Sequence, residues 1–87
     1  MAVERTPVTV EARFAPDGTI IPTAIVEGRQ RRAIARVGRQ WDEYSAERGP
    51  QRFFDVQMPG GETLLLCLER RTLRWTVVGA RGLARMA

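Results

Sequence analysis

Residues 52–78 read RFFDVQMPGGETLLLCLERRTLRWTVV, and the way this stretch folds back on itself decides the architecture of the chain. Three apolar-rich runs, 52–58, 63–68 and 73–78, are separated by Pro59-Gly60-Gly61 and by the polar group at 69–72. Short runs of this kind bounded by turn residues predict a three-stranded antiparallel meander. The strand faces select the first loop. With three residues in it, Val56 opposes Leu64 and Phe54 opposes Leu66. A two-residue loop would turn Leu64, Leu66 and Leu68 away from Phe54, because a slip of one residue exchanges faces. The three-residue loop also places Gly61 where a left-handed residue is wanted. A four-residue loop at Glu69–Thr72 then sets Leu68 against Leu73, Leu66 against Trp75 and Leu64 against Val77. One face thus gathers Phe54, Val56, Met58, Leu64, Leu66, Leu68, Leu73, Trp75 and Val77. On the other face Phe53, Cys67 and Arg74 form one row, and Asp55, Leu65 and Thr76 the next, with Val78 beyond.

Upstream, Val8, Val10, Ala12 and Phe14 alternate with Thr9, Glu11 and Arg13, the period of a half-buried strand. Asp17-Gly18 suits a type I′ hairpin turn, and Ile20 to Val26 reads as the return strand. Pro22 cannot donate to a ladder, so that strand lies at an edge or carries a bulge. Between Arg29 and Arg48 two readings stand. Ile34, Val37, Trp41 and Tyr44 recur at helical spacing, whereas the turn at Gly28 leads into a third strand over about 30–37 with a bulge near Gly38. Under either reading Asp42–Arg48 forms a short helical turn, stopped by Gly49-Pro50. The fold class is mainly β: a small antiparallel barrel or strongly bent sheet of five to six strands, with one short helix near 42–48. Phe14, Ile34, Trp41, Phe54, Val56, Leu64, Leu66, Trp75 and Val77 make its core. Eighty-seven residues allow one domain, ordered over about 7–79, with loose ends at 1–6 and 80–87.

All fourteen basic residues are arginine; lysine, histidine and asparagine are absent. The commonest general base and metal ligand is therefore missing, as are Schiff-base and P-loop lysines. Ser45, the one serine, has no histidine to activate it, and Cys67 lies between leucines as a small apolar residue. Asp42, Glu43 and Glu47 read as a solvated face, and Pro59-Gly60-Gly61 as a hairpin rather than a phosphate loop. No enzyme activity, metal or cofactor is expected. A single cysteine excludes an internal disulfide and fits a reducing compartment. With no membrane-spanning run or signal-peptide core, the expected place is the cytoplasm, away from any membrane.

The net charge of +4 is segregated: residues 28–41 carry +5, 42–47 carry −3 and 63–87 carry +4. Arginine in place of lysine throughout is what GC-rich coding produces, but coding bias does not cluster charge. Arg29, Arg31, Arg32, Arg36 and Arg39 form one cluster, and Arg70, Arg71 and Arg74 another at a hairpin tip. Guanidinium groups bind phosphates bidentately and stack on bases. With Phe53 beside Arg74 as the stacking aromatic, these residues make a candidate nucleic-acid surface. The competing reading is that the arginines solubilise the sheet and pair with Glu27, Asp42, Glu43 and Glu69. Phe53, Leu65, Cys67 and Val78 would then supply an apolar interface for a protein partner or a homodimer.

The order of motifs also resembles a known family. Apolar residues and proline precede Gly28-Arg29; an alternating run leads to Val37, Gly38, Arg39 and Trp41; then come Phe53-Phe54-Asp55-Val56, Gly60-Gly61 and Arg74-Trp75-Thr76-Val77. Over roughly residues 19–78 this resembles a family of small bacterial domains of unknown function, also found at the end of mutagenesis-associated polymerase-like proteins. Ile25, Val26 and Glu27 stand where the family form carries an aromatic. The resemblance implies an accessory binding module near DNA and brings no catalytic residue with it.

Overall fold

The structure, a computed structural model, describes residues 4–79. Seven strands follow one another: β1 (Arg5–Phe14), β2 (Ile20–Glu27), β3 (Gln30–Ala33), β4 (Arg36–Ser45), β5 (Gly49–Gln57), β6 (Thr63–Glu69) and β7 (Arg74–Val78). They form one antiparallel sheet in the order β3-β2-β1-β7-β6-β5-β4, curled into a barrel-like shape. The expected five or six strands become seven because the third breaks at Ile34-Ala35. Its first part pairs with β2 and its second with β5. At the break, the Ile34 amide donates to Thr23 O and the Ala35 amide to Gln57 O, both at 2.9 Å. Two consecutive residues thereby stitch the two ends of the sheet together.

The meander follows the hydrophobic pattern. Phe54 lies opposite Leu66 and Val56 opposite Leu64, and Phe54, Val56, Met58, Leu66, Leu68 and Val77 are fully buried. Ile20, Ile25 and Leu64 complete the buried cluster, with Val8, Val10, Ile34, Val37 and Trp75 packed against it. Trp75 meets Phe54 with ring centroids 5.4 Å apart. The 58–62 loop is closed by the Met58 amide on Glu62 O and the Gly61 amide on Met58 O, with Gly61 at φ 92°.

Ala15–Thr19 repeats the same design. Its amide-to-carbonyl pair is Ala15 to Thr19 and Gly18 to Ala15, and Gly18 sits at φ 90°. Both loops carry proline at the second position, where a fixed φ starts a type I turn, and glycine at the fourth. Asp17-Gly18 is therefore not a type I′ turn: Gly18 takes a positive φ and Asp17 does not. Asp17 instead accepts the Thr19 amide at 2.9 Å, which holds its carboxyl below the usual range.

Two bulges set which residues face inward. On β2, Thr23 is the extra residue between the pairs Ala12–Pro22 and Glu11–Ala24. It shifts the alternation so that Ile20, Pro22 and Ile25 all point into the core. On β4, Val37 pairs with Val56 but Gln40 pairs with Phe54, so Gly38 and Arg39 hold one residue more than β5. The bulges lie where Pro22 and Gly38 predict them. The β4 bulge has a consequence the sequence reading lacks: it turns Trp41 outward. Trp41 is not a core residue but stacks on Phe53 on the outer face.

Three further expectations are corrected. No helix forms near 42–48: β4 continues to Ser45, and residues 46–48 turn the chain, with the Ser45 hydroxyl accepting the Arg48 amide at 2.9 Å. Pairing of Asp42, Glu43, Tyr44 and Ser45 along β5 outweighs the weak helical preference of one acidic turn. The β6–β7 register is displaced by two residues, with Leu66 opposite Val77 and Leu68 opposite Trp75. Leu73 consequently leaves the core for the loop and is 65% exposed, as Phe14 is at 61% beside its own turn. Arg5 and Thr6 belong to β1 rather than to a loose end; residues 1–3 and 80–87 lie outside the described residues.

Leu73 takes φ 59°, the one positive φ outside glycine among the described residues. A side chain there costs about 1 kcal/mol of backbone strain, and this one is mostly in water. Leu73→Asn is expected to raise unfolding free energy by roughly 0.5–1 kcal/mol, read from the urea midpoint. An unchanged or lowered midpoint contradicts the strained-loop assignment.

Candidate nucleic-acid interface

The first arginine cluster is scattered by the geometry that makes it look compact in sequence. Alternation along β3 sends Arg31 and Arg32 to opposite faces. Arg31 forms a two-pronged ion pair with Glu11 on β1, Nε at 3.0 Å and Nη2 at 2.9 Å. This pairing holds the Glu11 carboxyl below the usual range. Arg32 instead pairs with Glu62 in the β5–β6 loop. Arg39, in the β4 bulge, lies 3.7 Å from Asp55 and covers the Trp41 ring at 5.1 Å. Only Arg29 in the β2–β3 turn and Arg36 at the start of β4 have no acidic partner among the described residues.

The second cluster is brought together, and it recruits arginines that the sequence reading left out. The β6–β7 turn docks on the start of β5: the Arg70 amide donates to Pro50 O at 3.0 Å. The Arg71 guanidinium lies flat against Gly49, where a Cβ would fall 3.0 Å from its Cζ. Gly49 at φ 74° is thus required twice, for the turn and for the close approach. Arg48 joins from the β4–β5 turn, its Nη1 2.8 Å from Glu69 Oε2. Arg70, Arg71 and Arg74 have no ion pair among the described residues, although Arg70 and Arg52 both draw the Asp42 carboxyl down. Arg52 grips Asp42 with Nε at 2.7 Å and Nη2 at 3.1 Å.

Next to this basic end, β1 parts from β7. The two strands pair from Arg5–Val78 to Val8–Trp75, after which β1 continues with β2 alone. The gap is a cleft of about 700 Å³ lined by Arg5, Arg48, Glu69, Arg74, Trp75 and Thr76, among others.

The outer face of the meander is occupied rather than free. Trp41 stacks on Phe53 with centroids 5.6 Å apart and planes 9° from parallel, and the Arg5 guanidinium sits 5.8 Å from the Phe53 ring centre. Arg5 also donates to Gln51 Oε1 at 3.1 Å and to Cys67 Sγ at 3.4 Å, while the Cys67 thiol donates to Gln51 Oε1 at 3.3 Å. Phe53 is therefore 6% exposed and Cys67 fully buried. Phe53 is not an open stacking aromatic, nor is it beside Arg74: its row runs through Cys67 to Thr76, and Arg74 lies opposite Glu69. Of the four apolar interface candidates, Phe53 and Cys67 are covered, and Leu65 and Val78 are half-buried. The exposed aromatic nearest the basic end is Tyr44, opposite Pro50 and 70% exposed.

Among the described residues no group of acids and cysteine has the arrangement of a metal site. Nor is any helix there long and apolar enough to cross a membrane. No family model, curated protein or solved structure matches this chain. Arg5 and Arg48 escaped the sequence reading because one was assigned to a loose end and the other to a helix. The signal for Arg48 was its place before Gly49-Pro50, which a hairpin reading would have used.

Burial pushes the Cys67 thiol up, partly offset by Arg5. A thiol whose folded pKa exceeds its unfolded value favours folding while protonated. That contribution is complete below about pH 8.5 and is lost as pH rises toward the folded pKa. The urea midpoint is expected to fall from about pH 8.5 upward, and Cys67→Ala to remove that part of the slope. Parallel pH profiles for the two proteins would show the thiol to be uninvolved.

Proposed function

We propose that this domain is a non-catalytic accessory module that binds single-stranded nucleic acid. The observation that carries the reading is the basic end where the 46–48 and 70–73 turns meet: Arg70 and Arg71 in the turn and Arg74 at the start of β7 form no ion pair among the described residues, Arg70 acting on Asp42 only from beyond ion-pair distance. Unpaired guanidiniums retain their donors for phosphate oxygens. Tyr44, at the same end, offers an exposed ring, and base–aromatic stacking adds about 1–3 kcal/mol per base. Arg29 and Arg36 extend the positive surface, whereas Arg31, Arg32 and Arg39 contribute less because acids already hold them. The non-catalytic part of the reading rests on the side chains: the Ser45 hydroxyl caps a turn and Cys67 is buried. An accessory role near DNA also agrees with the family resemblance of residues 19–78. The apolar outer face supports a protein-partner reading less well, since Arg5 and Trp41 lie over Phe53.

The test is a fluorescence-anisotropy titration with a short mixed-sequence single-stranded oligonucleotide at several salt concentrations. Arg70→Ala/Arg71→Ala is expected to weaken binding about tenfold and to lower the slope of log K against log salt by about 1.4, two single-strand phosphate contacts. Arg31→Ala is expected to change affinity less than about twofold, because Glu11 already engages it. Absence of saturable binding at ~100 μM, where even nonspecific binding is seen, would overturn the reading.

A further inference from the structure

The cleft between β1 and β7 has features that a general basic surface does not need. Beyond Val8–Trp75 the two strands separate, and the cleft opens from that last pair. Three guanidiniums and one carboxylate line it. Arg48 is held by Glu69 at 2.8 Å and lies 3.8 Å from Glu47. Arg74 has no partner among the described residues, and Arg5 has only neutral acceptors, the Gln51 amide oxygen and the Cys67 sulfur. Two positive charges are thus uncompensated in one notch. Behind its wall lies the Thr76 hydroxyl, sealed from solvent in a residue nine-tenths buried and without a hydrogen-bond partner. A buried hydroxyl without a partner is costly, and native structures rarely leave one so. The notch side of Trp75 adds an aromatic surface, the ring being half-buried against Phe54.

We infer that this notch binds the phosphate monoester at the end of a nucleic-acid strand. The inference rests on the nucleic-acid reading above and deepens it. A phosphate monoester carries about −1.5 to −2 at neutral pH, which matches Arg5 and Arg74, whereas an internal diester carries half that charge. The phosphate oxygens take the donors of Arg74 and, once the wall opens over it, the Thr76 hydroxyl, whose oxygen is otherwise sealed from solvent. They also draw Arg5 from its neutral acceptors, since charge-assisted bonds to phosphate are the stronger. The terminal sugar and base then lie against Trp75 and Leu73.

The experiment compares one oligonucleotide phosphorylated at the 5′ end, at the 3′ end or at neither, labelled internally, by anisotropy. One phosphorylated form is expected to bind roughly tenfold more tightly than the unphosphorylated strand, the effect of one added charge-assisted contact. Thr76→Val, which keeps shape and removes an unpartnered hydroxyl, is expected to reduce that preference below about twofold while leaving binding of the unphosphorylated strand in place, and Arg74→Ala to reduce the preference while weakening binding of all three strands. Equal affinity of all three strands overturns the inference but leaves the nucleic-acid reading standing. So does a preference that survives both variants. If no strand binds, inorganic phosphate and a nucleoside monophosphate are titrated against Trp75 fluorescence in the Trp41→Phe protein. Quenching lost in Thr76→Val would then establish a small-phosphate site and sink the strand-end assignment.

Discussion

Two consecutive amides, Ile34 and Ala35, hold the ends of the sheet together, one on Thr23 of β2 and the other on Gln57 of β5. This stitch curls the sheet so that Ile20 and Ile25 meet the wall that Val56, Met58 and Leu64 provide, while β3 and β4 remain its two end strands. Backbone hydrogen bonds, not any side chain, set this curl, and the side chains around it follow. Arg32 leaves β3 toward Glu62 because β3 and the 58–62 loop are brought to the same rim. Past the break β4 starts afresh at Arg36, paired with β5 alone, and its bulge then decides what the outer face shows.

Much of this was legible because one-residue errors are punished. The pairs Phe54–Leu66 and Val56–Leu64 were readable since any neighbour register would bury polar side chains. Gly61, Gly38 and Pro22 likewise announced a turn and two bulges through backbone chemistry that other residues supply poorly. Two-residue errors go unpunished. Moving β7 by two keeps Trp75 and Val77 on the core face, so the pattern could not tell a loop at 69–72 from one at 70–73. Trp41 was misplaced for a related reason: a bulge was foreseen, but the change of face it imposes on every later residue was not carried through.

The candidate site was legible only in part, and the arginines show why. Proximity in sequence means proximity in space within a turn but not along a strand. Arg70, Arg71 and Arg74 stay together because they surround a turn. Arg31, Arg32 and Arg39 diverge because successive strand residues face opposite ways and each meets a different acid. Acids from β1, β5 and the 58–62 loop, none adjacent in sequence to the arginines they meet, quench one cluster and leave the other exposed. Long-range pairing of this kind is invisible to a running sum of charge. The same holds for Arg5, whose reach across the outer face to Gln51 and Cys67 depends on a β1–β7 register that closes the whole chain.

That register has a temporal side. Every other strand pairing joins neighbours in the chain, whereas Arg5–Val78 to Val8–Trp75 unites residues almost the full described length apart. Loop-closure entropy makes such a contact late and slow. During synthesis β1 and β2 can form their hairpin early, but one flank of β1 stays unpaired until β7 has been made. A growing chain therefore presents an open strand edge from the making of β1 until that of β7, and Pro7, which has no amide hydrogen to offer, interrupts the donors along it.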